Sequence, residues 1–265
     1  MTDQKQITQD LEKLREKAPL IHNITNYVVM NSTANALISI GASPVMAHAP
    51  EEMEEMVSLA SALVLNIGTL SERWIEAMHL AGKKAKSMGI PVVLDPVGAG
   101  ATAYRTEATK SIIREVKPQI IRGNGSEILA IAHAGFSTKG VDSTASSDTA
   151  IEGAMELAQS TGSVVSISGK IDYVTNGQET AAIANGHPLM GRVTGTGCTA
   201  TALSAAFAAV NNDYYAAATE AMIVMGTAGE MAGEEADAPG TFFAKFLDAL
   251  YYINGEQIKN RWKNA

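Results

Sequence analysis

The segment Gly191-Arg192-Val193-Thr194-Gly195-Thr196-Gly197-Cys198-Thr199 combines three glycines, three threonines and the chain's only cysteine. A run of small apolar residues, 200–210, follows it and predicts a buried helix. The glycines then fall at the helix N-terminus, where free amide N–H groups and the positive end of the dipole suit an anion. A thiol at such a position has a pKa below its free value of about 8.5, which favours a thiolate near neutrality. The segment therefore offers an anion hole at Gly195, Thr196 and Gly197, with a reactive side chain at Cys198. The competing reading of a lone cysteine is a small buried hydrophobe.

Other candidates stand at the ends of apolar runs. Asp95 closes Ile90-Pro91-Val92-Val93-Leu94-Asp95 and opens Pro96-Val97-Gly98-Ala99-Gly100. It reads equally as an oxygen ligand for Mg²⁺ or as a turn residue. Glu127, after Asn124-Gly125-Ser126, suits a shared metal site, but also the ordinary first turn of a helix. Arg122 suits a phosphate or a surface salt bridge. Ser168-Gly169-Lys170 offers a hydroxyl and amides to a nucleotide phosphate, or is a plain turn, and Asp172 reads as a turn residue. Met46 reads as a core methionine. None of the five histidines forms a recognisable pair with Cys198, and His79 falls on a helix where solvation is expected. No Gly-x-x-x-x-Gly-Lys-Ser/Thr phosphate loop occurs, and no early Gly-x-Gly-x-x-Gly turn supports a nicotinamide enzyme.

These residues need a scaffold that gathers strand ends. Apolar strands are predicted at residues 44–46, 62–66, 90–95, 119–122 and 163–167, and residues 20–26 read as a short strand and a polar turn. Helices are predicted at 28–40, 50–60, 71–88, 106–116, from 126, and at 148–160, with a hairpin around Asn176-Gly177 and mostly helix after Cys198. Such alternation implies a three-layer α/β/α fold with a mostly parallel central sheet, ligands binding beyond its carboxyl edge. No linker interrupts the pattern, so residues 1–265 read as a single domain.

Composition narrows the classes. A chain with 46% hydrophobic and 18% charged residues has enough apolar material for a large core. A net charge of −8 argues against a nucleic-acid partner. Lys83, Lys84 and Lys86 read as a solvated helix face. One cysteine excludes an intrachain disulfide. No apolar run reads as a membrane span and the first residues lack a signal-peptide pattern, so a cytoplasmic location is expected.

The motifs together carry a resemblance. Residues 18–31, Ala-Pro-Leu-Ile-His-Asn-Ile-Thr-Asn-Tyr-Val-Val-Met-Asn, and Gly41-Ala42-Ser43-Pro44-Val45-Met46 closely resemble the hydroxyethylthiazole kinases. Asp95-Pro96-Val97-Gly98-Ala99, Arg122-Gly123-Asn124-Gly125-Ser126-Glu127 and Gly195-Thr196-Gly197-Cys198 follow in that family's order. The resemblance spans Pro19 to the C-terminal helices and implies a ribokinase-like fold. It also implies Mg²⁺ and ATP-dependent phosphorylation of the alcohol of 4-methyl-5-(2-hydroxyethyl)thiazole. A cytoplasmic homotrimer with active sites between subunits is implied as well. Met46 and Gly195 match thiazole-contacting positions, and Arg122 and Ser168 nucleotide-contacting ones. Cys198 stands where the wider superfamily carries a catalytic aspartate. Another kinase of that superfamily, a related ATP-using repair dehydratase and a non-catalytic binding regulator are the competing readings.

Overall fold

The apolar strands form one sheet, and their two-residue alternation divides the interior into two cores. The computed structural model describes residues 3–136 and 147–265, except for the side chains at 136 and 147–149. The strands are β1 (Leu20–Ile24), β2 (Ser43–Val45), β3 (Ala62–Asn66), β4 (Val92–Asp95), β5 (Ile120–Asn124), β6 (Val164–Ser168), β7 (Asp172–Thr175) and β8 (Thr180–Ile183). Their order across the sheet is β2-β1-β3-β4-β5-β6-β7-β8. The pairs from β2 to β6 are parallel, and β7 and β8 add an antiparallel hairpin.

Ala62, Val64, Val93, Ile120 and Val164 point to one face. There they pack with α1 (Gln4–Lys17), α2 (Met30–Ile40), α8 (Thr196–Ala208), α9 (Tyr214–Glu235), α10 (Pro239–Tyr252) and α11 (Gly255–Arg261). Leu63, Leu65, Leu94, Ile121 and Val165 point to the other. They pack with α3 (Met53–Leu59), α4 (Glu72–Met88), α5 (Ala103–Val116), α6 (Gly125–Ile131) and α7 (Ser147–Thr161). A parallel sheet buried on both faces explains why the strands read as continuous apolar runs. The fold is the three-layer arrangement the sequence implies.

Local signals set most boundaries. Ser71 caps α4 by accepting from the Trp74 amide, and Thr102 caps α5 through Arg105. Gly89 ends α4 in a left-handed conformation, φ 70°. Several boundaries differ from expectation by one to three residues, and three of them have a plain local reason. The helix expected from residue 28 starts at Met30, because Asn26 Oδ1 accepts from the Val28 amide and holds a turn first. Pro50 opens a 3₁₀ turn, Pro50–Glu52, before α3. β5 runs past Arg122 to Asn124 because β6 continues to pair with it. His79 is only partly solvated: its ring lies between Ser111 Oγ (3.1 Å) and Glu115 (3.5 Å) where α4 meets α5.

α9 carries a buried anomaly. Glu220 is fully buried, and neither carboxyl oxygen has a hydrogen-bond partner among the described residues. Burial, then the negative charge of nearby Asp10, pushes its carboxyl from the ordinary 4.5 to about 8, with Asp213 acting the same way and Asn211 opposing. The folded chain therefore keeps a proton here that the unfolded chain loses. The stabilising contribution is complete below pH 4.5 and is lost as pH rises through about 8. Glu220→Gln should gain stability relative to the wild type as pH rises from 5 to 8, by up to about 1.4 kcal/mol per unit. Urea unfolding of both proteins across that range tests it. A difference independent of pH would refute the assignment.

Candidate active site

Side-chain alternation also builds the site. Asn66, Asp95 and Arg122 lie two residues after Val64, Val93 and Ile120, so they face the same helical layer at the carboxyl edge of the sheet. α8 crosses that face against β3 and β4, bringing its N-terminus to the strand ends. Between them opens a cavity of about 720 Å³, ample for a small ligand. Asp95, Arg122, Glu127, Ser168, Gly195, Thr196, Gly197 and Cys198 all line it. Residues from four separate stretches of chain thus meet in one place.

The start of α8 is shaped for an anion. Gly195 is its N-cap in a left-handed conformation, φ 87°, and has no side chain to satisfy the first amides. A Cβ at Gly195 would come within 3.0 Å of Val29, and one at Gly197 within 2.8 Å of Arg122 Nη1. Both positions therefore require glycine: the first for its conformation, the second for space. Arg122 is buried and donates to Ser168 Oγ; it is not the surface salt bridge that sequence left open.

Asp95 is the buried acid of the site. Asn66 Nδ2 (2.7 Å) and Thr201 Oγ1 (2.8 Å) both donate to its Oδ2. Burial pushes its carboxyl up to about 6, against the pull of Arg122. Glu127 closes a capping box with Asn124 at the start of α6, and its Oε1 accepts from the Gly98 amide at 2.8 Å. It fills the helix-cap role and also faces the cavity. Each oxygen takes one backbone N–H, leaving lone pairs for water or a cation. Among the described residues no three His, Cys, Asp or Glu side chains gather as a metal cage.

Cys198 corrects one expectation. Asn66 Nδ2 (3.2 Å) and Asn26 Nδ2 (3.5 Å) donate to its sulfur. Burial, reinforced by the charge of Asp95, pushes the thiol up to about 11. The two amides and Arg122 oppose that shift without overcoming it. Desolvation outweighs the helix terminus, so Cys198 is a neutral thiol at neutral pH.

Sequence reasoning reads Asn66 only as a polar strand end and misses the links that it and Asn26 make. Asn66 links Cys198 to Asp95, and Asn26 donates to Asn66 Oδ1 at 2.9 Å. Position at a strand end was the only signal for Asn66. Asp172 keeps the turn role assigned to it, accepting from the Gly169 amide at 2.9 Å, and also lines the cavity. Burial pushes its carboxyl up to about 6. Asn185, His187 and Met190 form a further wall. Met46 lies outside the lining; it is half-buried after β2, with its carbonyl accepting from His48 Nδ1.

Comparison with known proteins gives the family. The profile described as the Hydroxyethylthiazole kinase family matches residues 11–256. The hydroxyethylthiazole kinase of Leptospira biflexa is 56% identical over 257 residues, covering 97% of this chain and 96% of that protein. That of Syntrophus aciditrophicus is 57% identical over 252 residues, covering 95% and 93%. The solved hydroxyethylthiazole kinase of Pyrococcus horikoshii OT3 superposes with a TM-score of 0.92 at 45% identity, covering 98% of each chain. A Staphylococcus aureus pyridoxal kinase in complex with AMP-PCP shares the fold at 16% identity and a TM-score of 0.61, covering 80% of this chain and 88% of that one. The chain belongs to the hydroxyethylthiazole kinase family.

Proposed function

We propose that this single-domain protein transfers the γ-phosphoryl group of ATP to the primary alcohol of 4-methyl-5-(2-hydroxyethyl)thiazole, a salvage step toward thiamine. The carrying observation is the uncapped N-terminus of α8 facing Asp95 and Arg122 across one cavity, in a chain of this family. In the transfer, the alcohol oxygen bonds to the γ-phosphorus as the bond to the β–γ bridging oxygen breaks and ADP departs. Such transfers need positioning and charge neutralisation more than covalent help. The amides of Thr196, Gly197 and Cys198 donate to the moving phosphoryl oxygens. Arg122 and Ser168 hold the nucleotide's phosphates.

Cys198 is the catalytic side chain beside the alcohol. As a neutral thiol it orients the hydroxyl rather than removing its proton, and Asn66 and Asn26 fix the sulfur. In a loose transition state the proton leaves late, passing to an oxygen of the transferred phosphoryl group, so a strong base is unnecessary. Asp95 and Glu127 suit Mg²⁺, because two oxygen donors in one cavity match an ion that keeps most of its waters. When bound, the ion supplies charge neutralisation at the phosphates.

Gly195 borders the thiazole, and Met46 is proposed to reach it across a subunit boundary in a homotrimer. Tyr27 and Val28, exposed beside Asn26, supply apolar surface for that contact. A cytoplasmic location fits this chemistry, and among the described residues no helix is long and apolar enough to cross a membrane.

ADP release with hydroxyethylthiazole, against hydroxymethylpyrimidine and pyridoxal as controls, tests the substrate. Turnover confined to a control alcohol would overturn the reading, and thiazole binding without turnover would indicate a regulator. Cys198→Ala should lower kcat by about tenfold or more while thiazole affinity changes far less. An unaltered kcat would remove the thiol from the chemistry. Gly197→Val should be more severe than Cys198→Ala, since even its Cβ would lie 2.8 Å from Arg122 Nη1. A normally active variant would refute the phosphoryl cradle.

A further inference from the structure

The cavity has two sides with respect to the sheet. The thiol network sits over β1, β3 and β4, through Asn26, Asn66 and Asp95. The opposite wall, residues 184–190, follows β8 at the far edge and rests on α9, which packs over β6, β7 and β8. With the alcohol beside Cys198 and the phosphates near Arg122, that wall stands on the nucleotide side.

α9 is built to receive this wall. Gly226, Gly229 and Gly233 recur at helical spacing and form one face. A Cβ at Gly226 would lie 2.7 Å from Asn185, one at Gly229 2.4 Å from Met190 Sδ, and one at Gly233 2.3 Å from the His187 ring. Each glycine therefore seats one residue of the wall. Glu230, on the same stretch of helix, accepts from the Gly186 amide at 3.2 Å and from Asn185 Nδ2 at 3.1 Å.

The last residues of the sequence fasten the assembly from behind. Lys263 Nζ donates to Glu230 Oε1 at 2.8 Å, and the Lys263 amide donates to Asn185 Oδ1 at 2.8 Å. Asn185 Nδ2 also donates to the Arg261 carbonyl at 2.6 Å. Residues 263–265 continue along β8, through Ala184 N to Lys263 O at 3.0 Å and Ala265 N to Ala182 O at 3.2 Å. At its other end the wall meets the phosphoryl cradle, where Thr196 Oγ1 donates to the Met190 carbonyl at 3.2 Å.

We infer that Asn185 is a positioning residue for the nucleotide, and that Lys263 and Glu230 set nucleotide affinity by holding it. This inference rests on reading the cavity as an ATP site. Asn185 is buried and lines the cavity, yet its amide hydrogens go to Glu230 and Arg261. It shapes the wall rather than donating to a ligand. Removing its side chain takes away one of the wall's two hydrogen bonds to Glu230 and its side-chain bonds to residues 261 and 263, while the Asn66–Asp95–Cys198 network stays in place.

The test compares Asn185→Ala, Lys263→Met and Lys263→Arg with the wild type. A non-hydrolysable ATP analogue is titrated calorimetrically, and steady-state constants are measured for ATP and the thiazole alcohol. Asn185→Ala should weaken nucleotide binding about tenfold and Lys263→Met about threefold, with kcat and the KM for the alcohol within about twofold of wild type. Lys263→Arg, which keeps the charge, should restore affinity. If Asn185→Ala does not fold, the two Lys263 variants decide, because that side chain is largely exposed. Unchanged nucleotide affinity in Lys263→Met, or a parallel rise of both KM values, overturns the inference while leaving the kinase reading intact. A wild type that binds no nucleotide overturns the ATP reading and this inference together.

Discussion

The constraint on which the rest depends is the buried start of α8. This helix is buried on all sides, with residues 199–208 packed between the sheet, α2 and α9. Its N-terminus is therefore pinned at the centre of the carboxyl edge. Its N-cap is a glycine in a left-handed conformation that no ordinary side chain adopts cheaply. A buried amide left without a partner costs about 1–3 kcal/mol, so the first turn must open onto solvent or a ligand. The cavity is the consequence, and β4, β5 and β6 deliver Asp95, Arg122 and Ser168 to its walls because the same edge ends there.

The same burial decides protonation. Asp95 and Cys198 share one donor, the Asn66 amide. Two negative charges on one amide in a dry site would repel strongly. Keeping the sulfur neutral leaves Asn66 and Thr201 to support a single carboxylate. A cysteine suits this arrangement better than a second carboxylate, because it accepts weak hydrogen bonds without needing a countercharge. The orienting role proposed for the thiol follows from its surroundings more than from its intrinsic reactivity.

Much of this was legible in sequence because it is local. Strand ends were visible as apolar runs closing on Asn66 and Asp95, caps as Ser71 and Gly89, and the uncapped start of α8 as glycines before a small-residue helix. The electrostatics were not. The rise of the Cys198 thiol depends on burial and on Asp95, brought together only by folding. Asn26 contacts a residue 172 positions away, and no spacing rule reaches that far. Glu127 shows the limit differently: the ordinary capping role and the cavity-facing role proved compatible in one side chain. Met46, matched through resemblance, lies outside the cavity lining, so its proposed contact with the thiazole is not legible from this one chain.

α9 explains why the chain is rich in small residues and also shows what burying a charge requires. Its glycines admit a neighbouring segment so closely that a methyl group at any of three positions would collide. Two of its glutamates, Glu220 and Glu230, sit ten residues apart on this helix. Glu230 accepts from an amide, an asparagine and a lysine, so its charge is compensated where it lies. Glu220 faces an aspartate instead, and the fold resolves the conflict by keeping a proton. One carboxyl ties the wall of the cavity to the last residues of the sequence, whereas the other makes the far end of the same helix sensitive to pH. The difference lies in the partners that packing supplies, since helix and residue type are the same.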